Sequence, residues 1–223
     1  TDFVLASIAA FQPYVVRGEV DPPANPLVIP QLCLRFSDID SVGLSGHFSL
    51  FSMMGEHQFR KPQEYDMNQY FVDHLTWLQK GMGIKPEELY IHGDAWAGGM
   101  DAGSSVEFFV DGLELSNQVY MQYEFIGGKF KELPIKVLDM GQGQERAAWF
   151  LQGDGMPYDI TFPEVMKRLY TATGLKPDNA LQKKFLPYAA LLNVDEVDDI
   201  QKAWKTVAQK VGVNTKELRD AIL

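Results

Sequence analysis

The residues whose types and spacing best suit them to chemistry lie between Asp139 and Arg146, in the run Asp-Met-Gly-Gln-Gly-Gln-Glu-Arg. This run puts a carboxylate, two glycines and a guanidinium close together. Glycines admit a ligand where a Cβ would collide, a helix N-terminus offers unpaired N–H groups, and a guanidinium grips phosphate oxygens in a planar fork. The run follows the apolar, strand-like Ile135, Val137 and Leu138 and opens the helical pattern Ala147-Ala148-Trp149-Phe150. A strand handing over to a helix start in this way suggests a nucleotide site. Taken alone, Gly141-x-Gly143-x-x-Arg146 is equally a closely packed helix start, and Asp139 equally an N-cap carboxylate for the following helix.

The elements that must position these residues can be read from periodicity. Phe3 to Phe11 is an apolar strand or short helix, and Pro22, Pro23, Pro26 and Pro30 mark an extended connection. Gln31–Ser37 and His47–Met54 read as an antiparallel hairpin with a long polar loop between them. Period two turns Leu32, Leu34 and Phe36 one way and Cys33, Arg35 and Ser37 the other. Between Asp66 and Gly81, the spacing of Tyr70, Phe71, His74, Leu75 and Leu78 predicts an amphipathic helix that packs on a sheet.

Strands are predicted at Leu89–Ile91, Ser105–Val110, Leu115–Phe125 and Lys131–Leu138, the last two joined by a tight turn at Gly127-Gly128. Alternation puts Asn117 and Val119 on one face. Helices return after residue 143, then at Pro163–Thr173, about Leu181–Leu192, Val194–Val211 and Thr215–Leu223. The stripe Val197, Ile200, Ala203, Trp204, Val207, Ala208 and Val211 marks the third of these, and Asn214 with Glu217 resembles a capping box for the last. Strands followed by helices argue for an α+β fold, with a catalytic-size domain over residues 1–175 and a helical region over 176–223.

With 223 residues the chain can bury one real core and carry a helical appendage. A formal net charge of -10 is the reverse of a surface that gathers phosphates nonspecifically, so any nucleic-acid contact must be local. The single cysteine, Cys33, excludes an internal disulfide and a cysteine-cluster metal site, and a reducing, cytoplasmic setting follows as the expectation. No charged-then-apolar leader and no apolar run near 18 residues is present, so neither secretion nor a membrane partner is expected. The four histidines lack metal-ligand spacing, and no metal ligand is assigned.

Longer stretches carry a family signature. Gly112-Leu-Glu-Leu-Ser-Asn-Gln-Val-Tyr-Met-Gln-Tyr123, Trp96-Ala-Gly-Gly-Met-Asp-Ala-Gly103, the hairpin around Arg35, Ser7-Ile-Ala-Ala-Phe-Gln-Pro13 and Asp21-Pro-Pro-Ala-Asn-Pro26 occur in the order found in archaeal-type alanyl-tRNA synthetases. The chain resembles that family over essentially its whole length. The resemblance implies a class II aminoacyl-tRNA synthetase-like antiparallel sheet flanked by helices, with a C-terminal helical appendage leading towards tRNA recognition. It makes the Arg35 hairpin motif 2 and the glycine-arginine run motif 3. It also implies that the chain begins just beyond motif 1 and lacks the editing and oligomerisation domains.

The implied chemistry joins two anions: a carboxylate attacks the α-phosphate of ATP and pyrophosphate leaves. Cations are needed on the phosphates, usually with Mg2+, and no general base is needed because the carboxylate is already ionised. By the resemblance, Arg35 holds the α-phosphate and substrate carboxylate, Arg146 contacts the γ-phosphate and lies along the adenine, and Phe51 stacks under the adenine beside Gly143. Met53, Trp96, Asn117, Val119, Asp139 and Gly141 line the amino-acid pocket, with Asp139 pairing the substrate ammonium. Arg35, Arg146 and Asp139 are thus the catalytic candidates. Glu107 is either an acid near Mg2+ or a solvated strand glutamate.

The implied substrates are alanine, ATP and tRNA(Ala), the last met mainly through segments beyond this chain. Departures leave alternatives open. Leu44 and Gly46 stand where many relatives carry lysine and arginine, Ser52 where many have glutamate, Ser104-Ser105 where Pro-Cys is usual, and Asp101 where asparagine is usual. A truncated paralogue activating a small amino acid for another acceptor, or a non-catalytic synthetase-derived binding module, would fit those losses of phosphate cations.

Overall fold

The computed structural model describes residues 4–37, 39, 42, 46–98, 100–153, 155–192 and 199–222. The chain divides into two compact units, Thr1–Leu34 with Leu50–Gln144, and Arg35–Ser49 with Glu145–Leu223.

The first unit is a six-stranded antiparallel sheet. Its strands are β1 (Leu27–Leu34), β2 (Leu50–Arg60), β3 (Leu89–Gly98), β4 (Asp101–Val110), β5 (Leu113–Ile126) and β6 (Lys129–Gly143), in the spatial order β1-β2-β6-β5-β4-β3. Two-residue turns make the meander. Gly127 and Gly128 both have positive φ, as do Asp111 and Gly112, which is the backbone that matches the twist of paired strands. The glycine pair is the turn the sequence predicts; Asp111-Gly112 carries an equally good turn signal and joins β4 to β5.

The strand limits differ from the periodicity in several places: β4 begins at Asp101 instead of Ser105, β6 runs to Gly143 instead of Leu138, and β1, β2 and β3 differ as well. β1 starts at Leu27, runs through Pro30 and stops before Arg35. Proline is tolerated there because β1 is the edge strand beside β2, bridged on its outer side only at Val4 opposite Cys33 among the described residues, so the missing N–H at Pro30 costs no ladder bond. Its alternation holds, with Cys33 buried on one face and Leu32 and Leu34 exposed on the other. β2 extends past Met54 to Arg60, and β3 extends past Ile91 to Gly98 although glycine, alanine and aspartate are poor strand formers. Pairing with β4 decides β3, from Leu89 opposite Val110 to Gly98 opposite Asp101.

Helix α1 (Met67–Thr76) starts at Asp66, whose carboxylate accepts the Gln69 N–H at 3.0 Å, and continues as a π-helical turn, Trp77–Gly81. Tyr70, His74 and Leu78 turn inward, as the spacing predicts. Tyr70 packs on Tyr120, Leu138 and Met140, and His74 Nε2 stands 2.7 Å from Ser116 Oγ. The opposite sheet face is covered by the N-terminal segment. Ile8, Val15 and Val16 pack on Phe59, Val119, Met121 and Val137, around a 3₁₀ turn at Ser7–Ala10. Full burial of an aliphatic side chain is worth about 1.5–3 kcal/mol, so this segment is part of the unit's core.

The second unit is helical: α2 (Gln144–Gln152), α3 (Pro157–Thr161), α4 (Pro163–Thr173), α5 (Asn179–Phe185), α6 (Ile200–Val211) and α7 (Thr215–Ile222). Trp204, Val207, Ala208 and Val211 of α6 pack with Leu181, Phe185, Leu192 and Leu218. α6 begins at Ile200, capped by Asp199, and the predicted stretch Val194–Val197 lies outside the described residues. The predicted helix near Leu181–Leu192 is α5 followed by a 3₁₀ stretch, Leu186–Leu192. Pro187 has no N–H to continue an α-helix. The Asn214 cap of α7 is present, with Asn214 Oδ1 accepting the Glu217 N–H at 2.9 Å.

Candidate active site

In an antiparallel sheet, directly opposed residues share a face, and so do alternate residues along a strand. The register therefore builds rows across the sheet. One row is His57, Asp139, Val119, Ser105 and Asp94. The next is Gly55, Gly141, Asn117, Glu107 and His92, and beyond it Met53 faces Gly143. Phe51 lies two residues further along β2, and Trp96 two residues beyond Asp94 on β3. Every sequence-predicted site residue of the first unit, namely Phe51, Met53, Trp96, Asn117, Val119, Asp139, Gly141 and Gly143, thus occupies one face, the face that carries the N-terminal segment.

The space at its centre is small. A Cβ on Gly141 would stand 3.1 Å from Met53 Sδ and 3.3 Å from Asn117 Oδ1, so glycine keeps open a gap that any side chain would narrow. Val119 is buried, and Trp96 packs against the same apolar cluster. Met53 is fixed from the other side, where Ser7 Oγ donates to its Sδ at 3.4 Å and the Ser7 N–H points to the same sulfur at 3.5 Å.

Asp139 is the charge in this apolar setting. Its side chain is 10% exposed, and Oδ1 lies 2.8 Å from Nδ1 of His57, which is wholly buried. The contact is short but off-axis, so neither atom completes an aligned hydrogen bond among the described residues. Such bonds are often poorly aligned without ligand and tighten when it binds. A buried carboxylate with unmet acceptor capacity is costly and favours a cationic partner.

The structure corrects two readings of this run. Asp139 is no N-cap, because it sits within β6 and α2 begins only at Gln144. Gly141 and Gly143 do not belong to a helix start after a strand ending at Leu138. They continue β6, which is held on both sides by β2 and β5.

Arg35 and Arg146 belong to the second unit. Arg35 follows the end of β1 and its N–H donates to the Ser49 carbonyl at 2.9 Å. Arg146, in the first turn of α2, donates from Nε to the Gly46 carbonyl at 3.1 Å. Tyr158 supports the same loop, with its ring 5.1 Å from that of Phe48 and its hydroxyl 3.4 Å from the His47 carbonyl. Gly46, one of the departures from the family pattern, thus serves as an anchor through its backbone. Leu44 lies outside the described residues.

Glu107 faces the site side of β4 and holds His92 at 3.0 Å, which raises the His92 pKa. No grouping of three or more histidine, cysteine, aspartate or glutamate side chains suited to a metal occurs among the described residues. On the opposite face burial raises the Glu56 pKa, with the Asp73 and Asp139 charges adding to it. Burial also lowers His74 to about 4.

Sequence reasoning missed three residues of this face: Ser7, Gly55 and His57. The signal was present, since His57 shares strand parity with Phe51 and Met53, but the predicted strand stopped at Met54.

The comparisons with known proteins show the family. The model of the family described as tRNA synthetases class II (A) matches residues 2–222. The chain belongs to that class II synthetase family. This synthetase chain is 48% identical over 227 aligned residues to an alanine–tRNA ligase of Methanocella arvoryzae, covering 99% of the chain and 26% of that relative. It is 40% identical to the alanine–tRNA ligase of Pyrobaculum arsenaticum and 38% to that of Methanopyrus kandleri, in each case over 96% of the chain and 24% of the relative. The resemblance carried by the motifs therefore agrees with these relatives, of whose length the chain spans about a quarter. A solved pyrrolysyl-tRNA synthetase of Desulfitobacterium hafniense is similar at a TM-score of 0.39 and 18% identity, over 61% of this chain and 45% of that one.

Proposed function

We propose that this class II synthetase chain activates alanine with ATP and that the protein carrying it transfers the alanyl group to tRNA(Ala). In the first step an alanine carboxylate oxygen attacks the α-phosphorus. The new C–O–P link forms as the bond from the α-phosphorus to the bridging oxygen breaks, and pyrophosphate leaves with the electron pair. The observation that carries the reading is Asp139: a buried carboxylate with unmet acceptor capacity, directly opposite Val119, beside the gap kept open by Gly141. That combination suits an ammonium attached to a methyl-sized side chain.

Asn117 would hydrogen-bond the substrate, and Trp96, Val119 and Met53 would close around its methyl. Arg35 would bridge the substrate carboxylate and the α-phosphate, Phe51 would stack under the adenine beside Gly143, and Arg146 would contact the γ-phosphate and lie along the adenine. ATP arrives with Mg2+, whose charge offsets that of the phosphates. Because Glu107 is engaged with His92, the ion would take its ligands chiefly from phosphate oxygens and water. A cytoplasmic site of action and the division near residue 175 belong to the same proposal.

Alanine-dependent ATP–pyrophosphate exchange tests it, with Asp139→Ala and Arg35→Ala as controls. Exchange by the wild type that is lost in both variants supports the reading. Nucleotide binding by a folded wild type without exchange would instead favour a synthetase-derived binding module.

A further inference from the structure

We propose that His57 is a positioning residue that sets the Asp139 carboxylate for the substrate ammonium, an inference that rests on the reading of Asp139 given above. His57 and Asp139 are direct cross-strand partners, and Nδ1 lies 2.8 Å from Oδ1. The imidazole has little freedom to leave. The Phe11 ring stands 5.5 Å away at 57°, the Phe59 ring 6.5 Å away at 47°, and the ring edge with Nε2 occupies the space over Gly55 that a Cβ would fill. Ser7 fills the rest of that space.

Nδ1 can donate a hydrogen bond in either protonation state of the ring when the neutral form carries its proton there. A carboxylate has about four acceptor sites, and the His57 contact is directed at one oxygen only. What remains is for a ligand, which reaches it through the exposed tenth of the side chain. His57 thereby reduces the cost of burying the Asp139 carboxylate and limits its rotation about χ1 and χ2. His57 does not touch the substrate and has no part in holding ATP. Its loss therefore falls on amino-acid binding alone.

The test is exchange kinetics on the full-length protein that carries this chain, with KM measured separately for alanine and ATP in wild type, His57→Phe and His57→Asn. Phenylalanine keeps a planar ring and removes the donor; the asparagine amide places a donor near the Nδ1 position. We expect His57→Phe to raise the alanine KM at least about tenfold, as loss of a hydrogen bond to a charged group does, with the ATP KM within about twofold of wild type. His57→Asn should restore most of the alanine affinity. If His57→Phe does not fold, His57→Asn against His57→Gln carries the comparison, since the glutamine amide reaches the Nε2 position instead, and only asparagine should hold alanine well.

An alanine KM unchanged in the variant lacking the donor, a parallel rise in both KM values, or no advantage of asparagine overturns the role of His57. Asp139→Asn separates this from the parent reading. Exchange lost in Asp139→Asn but intact in His57→Phe removes the positioning role alone, whereas a folded wild type without alanine-dependent exchange removes both.

Discussion

Gly141 and Asn117 stand directly opposite each other on β6 and β5, and the missing side chain of the first is what leaves room beside the amide of the second. Gly141→Ala would bring a methyl to 3.3 Å from Asn117 Oδ1 and 3.1 Å from Met53 Sδ. Because the Met53 thioether is adaptable, we expect the fold to lose less than about 1 kcal/mol. The alanine KM should rise on the order of tenfold, equivalent to about 1.4 kcal/mol, with little change for ATP. Exchange kinetics beside a chemical denaturation curve will decide, and an unchanged alanine KM would remove Gly141 from the pocket.

Gly55 lies in the same row, and there the neighbours are less forgiving. A Cβ would collide with Ser7 Oγ and Cβ and with His57 Nε2, all buried. Gly55→Ala should destabilise the protein by about 1–3 kcal/mol, the range for overpacking. Ser7→Gly removes two of the three colliding atoms and leaves only His57 Nε2, so the double variant should lose clearly less than the sum of the single losses. Strict additivity in a double-mutant cycle would show that the two residues do not share that space.

The proposed pocket bounded by Val119, Trp96 and Met53 would exclude large side chains but separate alanine from glycine or serine only weakly. One methyl is worth about 1–3 kcal/mol of discrimination, and an added hydroxyl is no better rejected by an apolar wall. Exchange with serine and with glycine should each exceed roughly one part in 10⁴ of the alanine rate. Rates below that for both would mean that the selection rests on something other than these walls.

His74 should make stability depend on pH. Its pKa falls from 6.5 to about 4 on burial between α1, which carries it, and the sheet, beside Ser116. The unfolded chain therefore binds the extra proton first as pH drops. Stability is fully present above about pH 6.5 and declines towards pH 4, by up to about 3 kcal/mol. Glu56 slopes the other way, because its raised pKa means that the folded state holds its proton longer. The difference between wild type and His74→Gln, in denaturation midpoints at pH 7.5 and pH 5, isolates the histidine. Equal pH slopes in the two proteins would contradict the assignment.

Much of the fold was legible from local pattern. The β5–β6 turn at Gly127-Gly128, the inward stripe of α1 and the apolar stripe of α6 are short-range signals, because twist, cap and amphipathic face are written within a few residues. The residue types of the candidate site were legible too, through the order of the motifs around Trp96, Asn117 and Asp139.

Register was not. A strand's own sequence gives its period but not its partner or its end, so β2 was cut at Met54 and β3 at Ile91, and the glycines at the end of β6 read as a helix start. Only the pairing of β6 with β2 on one side and β5 on the other placed His57, Asp139 and Val119 in one row and Gly55, Gly141 and Asn117 in the next. The sequence by itself determined which residues could bind a small amino acid and a nucleotide. The tertiary structure decided that His57 stands against Asp139, because cross-strand neighbours are set by hydrogen-bonded pairing and by burial of a shared face, interactions that no single segment contains.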